Sequence, residues 1–151
     1  MMEMRFGLGM LAVSLTISFG AQAQNLPQPG KPSDNLASAK VFDHAALALA
    51  HNPNGSERRD VVTGRLATGE PVHIHESMQP PGLKPNPAHA IAHSEFILVT
   101  EGQLEITHDG KTETAGPGSV IYVAYGTMHQ ARNPGTVPVK YTVIAIGGDA
   151  Q

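Results

Sequence analysis

Side chains that could hold a metal ion are concentrated in one short segment, residues 87–102. His89, His93 and Glu95 have the same parity, so on one extended strand they would project from the same face. Two imidazoles and a carboxylate suit Zn, Mn, Fe, Co or Ni better than Ca or Mg. His129, in a second segment at 118–133, could join them because strands of a barrel face one another across the interior. The spacing therefore predicts a transition-metal site.

The composition excludes several other kinds of chemistry. The 151 residues contain no cysteine, so disulfides and thiolate ligands are excluded. The net charge is −3 and the basic residues are scattered, which indicates that the chain does not bind nucleic acid. The sequence has no Gly-x-Ser-x-Gly, so hydrolysis by a Ser-His-Asp triad is unsupported.

The elements that must position these side chains are predicted to be short strands. Residues 71–78 alternate between apolar and polar side chains, which is the period of a strand with one buried face. Asp109-Gly110 between two such runs is typical of a two-residue hairpin turn. With 16 Gly and 12 Pro, the pattern predicts eight or nine strands in an all-β barrel or sandwich. An Ala-rich stretch at 41–50 predicts one short N-terminal helix.

The N-terminal part is predicted to direct export. Residues 1–23 combine Arg5, an apolar core and a final Ala-Gln-Ala, which is the pattern of a secretory signal peptide cleaved after Ala23. Residues 24–40, rich in Pro, are predicted to be a flexible leader, and residues 41–151 a single domain. The mature protein is therefore expected in the periplasm or outside the cell, without a stable membrane anchor.

Both segments resemble the two motifs of the cupin superfamily. In the first, Glu95 is followed by six residues and Gly102, and His89 stands at the place of the first histidine. In the second, the glycines, the histidine and the asparagine match, with alanine in place of proline; these are Gly118, Ala124, Gly126, His129 and Asn133. The resemblance implies a single jelly-roll (double-stranded β-helix) barrel over residues 41–151.

The resemblance also implies that two histidines, the glutamate and the second-motif histidine bind one divalent metal. His89, Glu95 and His129 match this set, but Ile91 stands where the family has its second histidine. His93 is one substitute. His75, on the preceding strand, is another if Ile74 faces the core and its neighbours face the lumen; with reversed parity it would face solvent. The implied metal is Mn, Fe, Zn, Ni or Co.

The fold alone does not select a reaction. The resemblance implies a metal-dependent enzyme of dioxygenase, isomerase or lyase type acting on a small oxygenated molecule, in which Glu95 could serve as a general base. The alternative is a non-catalytic module that binds a small molecule or a metal. A small-molecule ligand and a homodimer are expected in either case.

Overall fold

The structure is a computed structural model that describes residues 34–150. The predicted signal peptide and most of the predicted leader lie outside the described residues. The described chain is built of short strands: β1 Asp34–Leu36, β2 Ala50–His51, β3 Glu57–Leu66, β4 Pro71–Gln79, β5 His89–Ala90, β6 Ser94–Glu101, β7 Leu104–His108, β8 Lys111–Ala115, β9 Val120–Val123, β10 Met128–Arg132 and β11 Val139–Ile146.

The strands form two sheets. The larger has the order β1-β3-β4-β11-β6-β9, with β2 also paired to β3, and the smaller has the order β5-β10-β7-β8. All pairings are antiparallel except that of β1 with β3. The all-β jelly-roll prediction is confirmed.

The apolar core consists of side chains from both sheets. On β6, Ile97 and Val99 are buried, while Phe96 and Leu98, which alternate with them, are exposed, as the two-residue period of a strand requires. Leu104 and Ile106 contribute the core residues of the smaller sheet. The inner face of the larger sheet is therefore the one that carries the odd-numbered residues of β6. The inner face of the smaller sheet carries the even-numbered residues of β7.

Two local predictions have different outcomes. The Asp109-Gly110 turn is confirmed: both residues have positive φ, 47° and 73°, and His108 pairs with Lys111 across it. The helix expected at 41–50 is only the three-residue 3-10 turn His44–Ala46. Such a short alanine-rich segment has too few turns to propagate a helix without packing partners.

The predicted leader includes one strand, because its residues Asp34–Leu36 form β1 and pair with Gly64–Leu66. In residues 34–150 no helix is long and apolar enough to cross a membrane.

Candidate metal centre

The site begins with a pair of histidines in the smaller sheet. His89 of β5 lies directly opposite His129 of β10, and the two ring centroids are 4.7 Å apart at an interplanar angle of 49°. His129 is only 4 % exposed, whereas His89 lies at the exposed mouth of the site. Cross-strand neighbours project from the same face, so the pairing of two motif positions brings both imidazoles to one side of the sheet.

Hydrogen bonds to backbone carbonyls determine the tautomer of the His89 and His129 rings. Nδ1 of His89 lies 3.2 Å from the carbonyl oxygen of Pro87, and Nδ1 of His129 lies 3.1 Å from that of Thr127. A carbonyl oxygen only accepts hydrogen bonds, so each Nδ1 must donate. In the neutral imidazole the lone pair is then on Nε2, which is the form that a metal ligand requires.

The larger sheet contributes Glu95 and His75 from its inner face. Glu95 of β6 has the parity of the core residue Ile97, and both line the cavity next to the histidine pair. On β4, His75, Ser77 and Gln79 line the same cavity. Between the two orientations left open for β4 by the sequence, the structure selects the one that turns His75 inward.

These four side chains, His75, His89, Glu95 and His129, are called the donor set below. They line one cavity of about 360 Å³ between the two sheets. Within residues 34–150, no three His, Asp or Glu side chains converge closely enough to surround a metal ion. The donor set therefore shares a cavity without being assembled into a coordination sphere.

The surroundings of His75 keep its ring neutral. Burial, together with the nearby charges of Arg58 and His73, lowers the pKa of His75 from 6.5 to about 3, against a smaller opposing effect of Asp60. Its Nδ1 is buried and has no hydrogen-bond partner. An unsatisfied buried polar atom costs about 1–3 kcal/mol, so a metal ion or a polar ligand at this atom would remove a penalty. The chemistry of the donor set fits a divalent transition metal.

His93 lies outside this cavity, and the expectation that residues 89–95 form one strand is wrong. The chain leaves the smaller sheet after Ala90 and enters the larger sheet at Ser94. His93 instead lies between two carboxylates, with Nε2 2.9 Å from Oε1 of Glu95 and Nδ1 2.7 Å from Oδ1 of Asp149. Strand parity does not apply across such a connection.

Ile91 belongs to the hydrophobic core and is 9 % exposed. The position of the second family histidine therefore holds an apolar core side chain instead of a ligand. The carbonyl oxygen of Ile91 accepts a hydrogen bond of 2.8 Å from the N–H of Gly126, which joins the two motif segments. The motif asparagine is structural as well: buried Asn133 donates to the carbonyl oxygens of Gln79 and Val137 and accepts from Gly135. These contacts hold the elements that carry the donor set.

Several residues near the site were not predicted from the sequence. Ser77 and Gln79 share the parity of His75, and that alternation could have identified them. Tyr141 lines the cavity, and its hydroxyl accepts a hydrogen bond of 2.9 Å from Nε2 of Gln79. Asp149 gave no signal, because it is distant in sequence from both motifs.

Comparisons with known proteins agree with this architecture. The sequence profile of the family described as Cupin_2, Cupin domain, matches residues 74–145. The chain is similar to the structure of an RmlC-like cupin from Shewanella frigidimarina NCIMB 400, with 16% identity and a TM-score of 0.61 over 74% of this chain and 94% of that one. It is also similar to KdgF from Halomonas sp., with 16% identity and a TM-score of 0.60 over 74% and 97% of the two chains.

A Cupin 2 conserved barrel domain protein from Salinispora arenicola CNS-205 is similar as well, with 21% identity and a TM-score of 0.53 over 77% of this chain and 92% of that one. No curated protein sequence matches the chain significantly. The two-sheet barrel and the matched family profile define a cupin fold, and the chain belongs to the cupin superfamily.

Proposed function

We propose that the chain is an exported cupin that holds one divalent transition metal on the donor set and acts as an enzyme of dioxygenase, isomerase or lyase type on a small oxygenated molecule. The observation that carries the proposal is that three imidazoles and the Glu95 carboxylate line the same cavity, whose lining also includes Glu57. Two of these imidazoles, His89 and His129, have their Nδ1 committed to backbone carbonyls. Three nitrogen ligands and one oxygen ligand suit Mn, Fe, Co, Ni or Zn.

When bound, such a metal would polarise an oxygen of the ligand or lower the pKa of a bound water molecule. The protein residues supply binding and proton transfer. Burial raises the pKa of Tyr141, so its phenol stays neutral and protonated in the cavity. Together with Ser77 and Gln79 it offers hydrogen bonds to a ligand rich in oxygen. Glu95, next to these groups, is the candidate general base.

Metal analysis of the purified protein tests the proposal. After loading with Mn, Fe, Co, Ni or Zn in turn, we expect one ion per chain for at least one metal, and loss of most of it in His129→Ala. His108→Ala is the matched control, because His108 pairs with His129 in the sheet but bonds to exposed carboxylates. The absence of bound metal in the wild type, for all five, would overturn the proposal.

A non-catalytic module is the second candidate, because the donors share the cavity without converging. A protein that only binds a small molecule needs the polar cavity but no assembled metal site. Thermal-shift screening of small oxygenated molecules with the metal-loaded protein, followed by mass spectrometry of the hits, separates the candidates. An enzyme converts a hit, whereas a binding module returns it unchanged.

A homodimer remains part of the proposal. The outer face of β6 and β9 carries four neighbouring exposed apolar side chains: Phe96, Leu98, Val120 and Tyr122. Phe96 and Tyr122 stack with ring centroids 5.1 Å apart. A contiguous apolar patch on a small domain favours self-association. Light scattering should therefore give a dimer mass for the wild type and a monomer mass for Leu98→Glu. A monomer mass for the wild type would exclude this surface as a dimer interface.

A further inference from the structure

The turn after β11, residues 147–150, is packed against the connection between β5 and β6. The N–H of Asp149 donates to the carbonyl oxygen of Ala92 at 3.1 Å, and the N–H of Gly147 donates to that of Pro71 at 2.9 Å. Ala150 is only 2 % exposed. These contacts make the turn part of the folded domain, and they bring Asp149 next to His93.

Gly148 makes this close contact sterically feasible. Its φ is +54°, and a Cβ built there would lie 1.7 Å from the carbonyl oxygen of Ala92. Any other residue would force the turn away from the connection, because the backbone of Ala92 and His93 occupies the space that its Cβ would need. The position of Asp149 is therefore specified by its neighbour in sequence.

Asp149, His93 and Glu95 form a continuous hydrogen-bonded chain. The ring of His93 links the two carboxylates, at 2.7 Å to Asp149 and 2.9 Å to Glu95. Ionised carboxylates only accept hydrogen bonds, so both ring nitrogens of His93 donate. The side chains of His93 and Glu95 are 16 % and 15 % exposed, so their hydrogen bond is largely shielded from water, whereas Asp149 at the other end of the chain is 63 % exposed.

We propose that Asp149, acting through His93, is a positioning residue for the carboxylate of Glu95. This inference rests on the proposed function, because Glu95 belongs to the donor set. Oε1 of Glu95 is held by His93, while the side chain also lines the cavity. A glutamate with one oxygen fixed loses less rotamer freedom when its other oxygen binds a metal or takes a proton. Partners of this kind are commonly worth 10–100-fold in metal affinity.

The chain offers a matched control for this chemistry. His108 also lies between two carboxylates, 3.2 Å from Asp109 and 2.8 Å from Glu113, on the hairpin of β7 and β8. Neither Asp109 nor Glu113 lines the cavity of the donor set. Asp109→Asn therefore removes a similar carboxylate partner of a histidine without touching the site.

Calorimetric titration of the purified protein with Zn²⁺, and separately with Mn²⁺, tests the inference. We expect Asp149→Asn to weaken binding about tenfold and Asp149→Glu to recover part of the loss. Asp109→Asn should stay within about twofold of the wild type. In a Glu95→Gln background, Asp149→Asn should cause no further loss, because its effect passes through the glutamate.

An unchanged affinity in Asp149→Asn, or an equal loss with and without Glu95, would overturn the inference while leaving the proposed function intact. A wild type that binds neither ion would overturn the proposed function for these metals. The inference is then tested by the stability of the metal-free protein. In urea unfolding of the metal-free wild type, Asp149→Asn, Glu95→Gln and the double variant, non-additive midpoint shifts support the hydrogen-bonded chain. Additive shifts overturn it.

Discussion

His75 and His93 are the two histidines that could replace the family ligand missing at Ile91, and their surroundings are opposite. His75 lies on a regular strand, faces the cavity and has a buried Nδ1 without a partner. His93 lies on the connection between the sheets, and carboxylates occupy both of its nitrogens. A metal needs a free lone pair on a neutral ring, so the difference favours His75 as the ligand of the proposed metal site and His93 as its support.

The charge environments agree with this division. Burial beside Arg58 lowers the pKa of His75 to about 3, so the ring is neutral at any moderate pH. Burial alone would lower the pKa of His93 too, but hydrogen bonds to Asp149 and Glu95 raise it. One histidine is therefore held as a lone-pair donor and the other as a hydrogen-bond donor.

The largest expected effect is the difference in metal affinity between His75→Gln and His93→Gln. Loss of a ligand should weaken binding more than about a hundredfold, whereas loss of a supporting partner should cost about tenfold. Both variants can be measured by competition with a chromogenic chelator, with His108→Gln as the control. The reverse order would exchange the roles of the two histidines.

Gly148→Ala should disturb the turn that holds Asp149 against His93, and leave the surroundings of His75 unchanged. The added Cβ meets the Ala92 carbonyl, so the turn must shift, and we expect a loss of about 2 kcal/mol in the free energy of unfolding. Gly82→Ala is the matched control: its φ is +73° and nothing lies within 4 Å of the added Cβ. It should cost about 1 kcal/mol from backbone strain alone. Equal losses in urea unfolding would mean that the close contact is not significant.

The pH dependence of stability should report the neutral state of His75. Its folded pKa of about 3 lies below the unfolded value of 6.5, so the unfolded chain takes up a proton first as the pH falls. Stability should therefore decrease from pH 6.5 towards pH 3, by at most about 1.4 kcal/mol per pH unit for one proton. Urea unfolding of the metal-free protein should show a shallower decrease for His75→Gln, and an identical slope would contradict the assignment.

His93 should give a smaller dependence of opposite sign. Because its folded pKa is raised, its contribution is fully present below about pH 6.5 and is lost as the pH rises through the folded value. The effect is reduced by solvent screening, since Asp149 is 63 % exposed. The difference in unfolding free energy between wild type and His93→Gln should shrink on going from pH 6 to pH 9; a growing difference would contradict the two hydrogen bonds.

The sequence predicted the features that depend on local patterns. The alternation in β4, the Asp109-Gly110 turn and the two motif segments follow from strand periodicity, turn geometry and spacing. The place of His93 could not be predicted, because the switch of sheets between Ala90 and Ser94 depends on which partners the strands find. Its contact with Asp149, more than fifty positions away, is a product of tertiary packing.

X-ray absorption spectroscopy of the metal-loaded protein tests the central claim most directly, because it counts the imidazoles bound to the ion. We predict three imidazoles and one carboxylate in the wild type, two imidazoles in His75→Ala and three in His93→Ala. An imidazole count that falls in His93→Ala and not in His75→Ala would contradict the account.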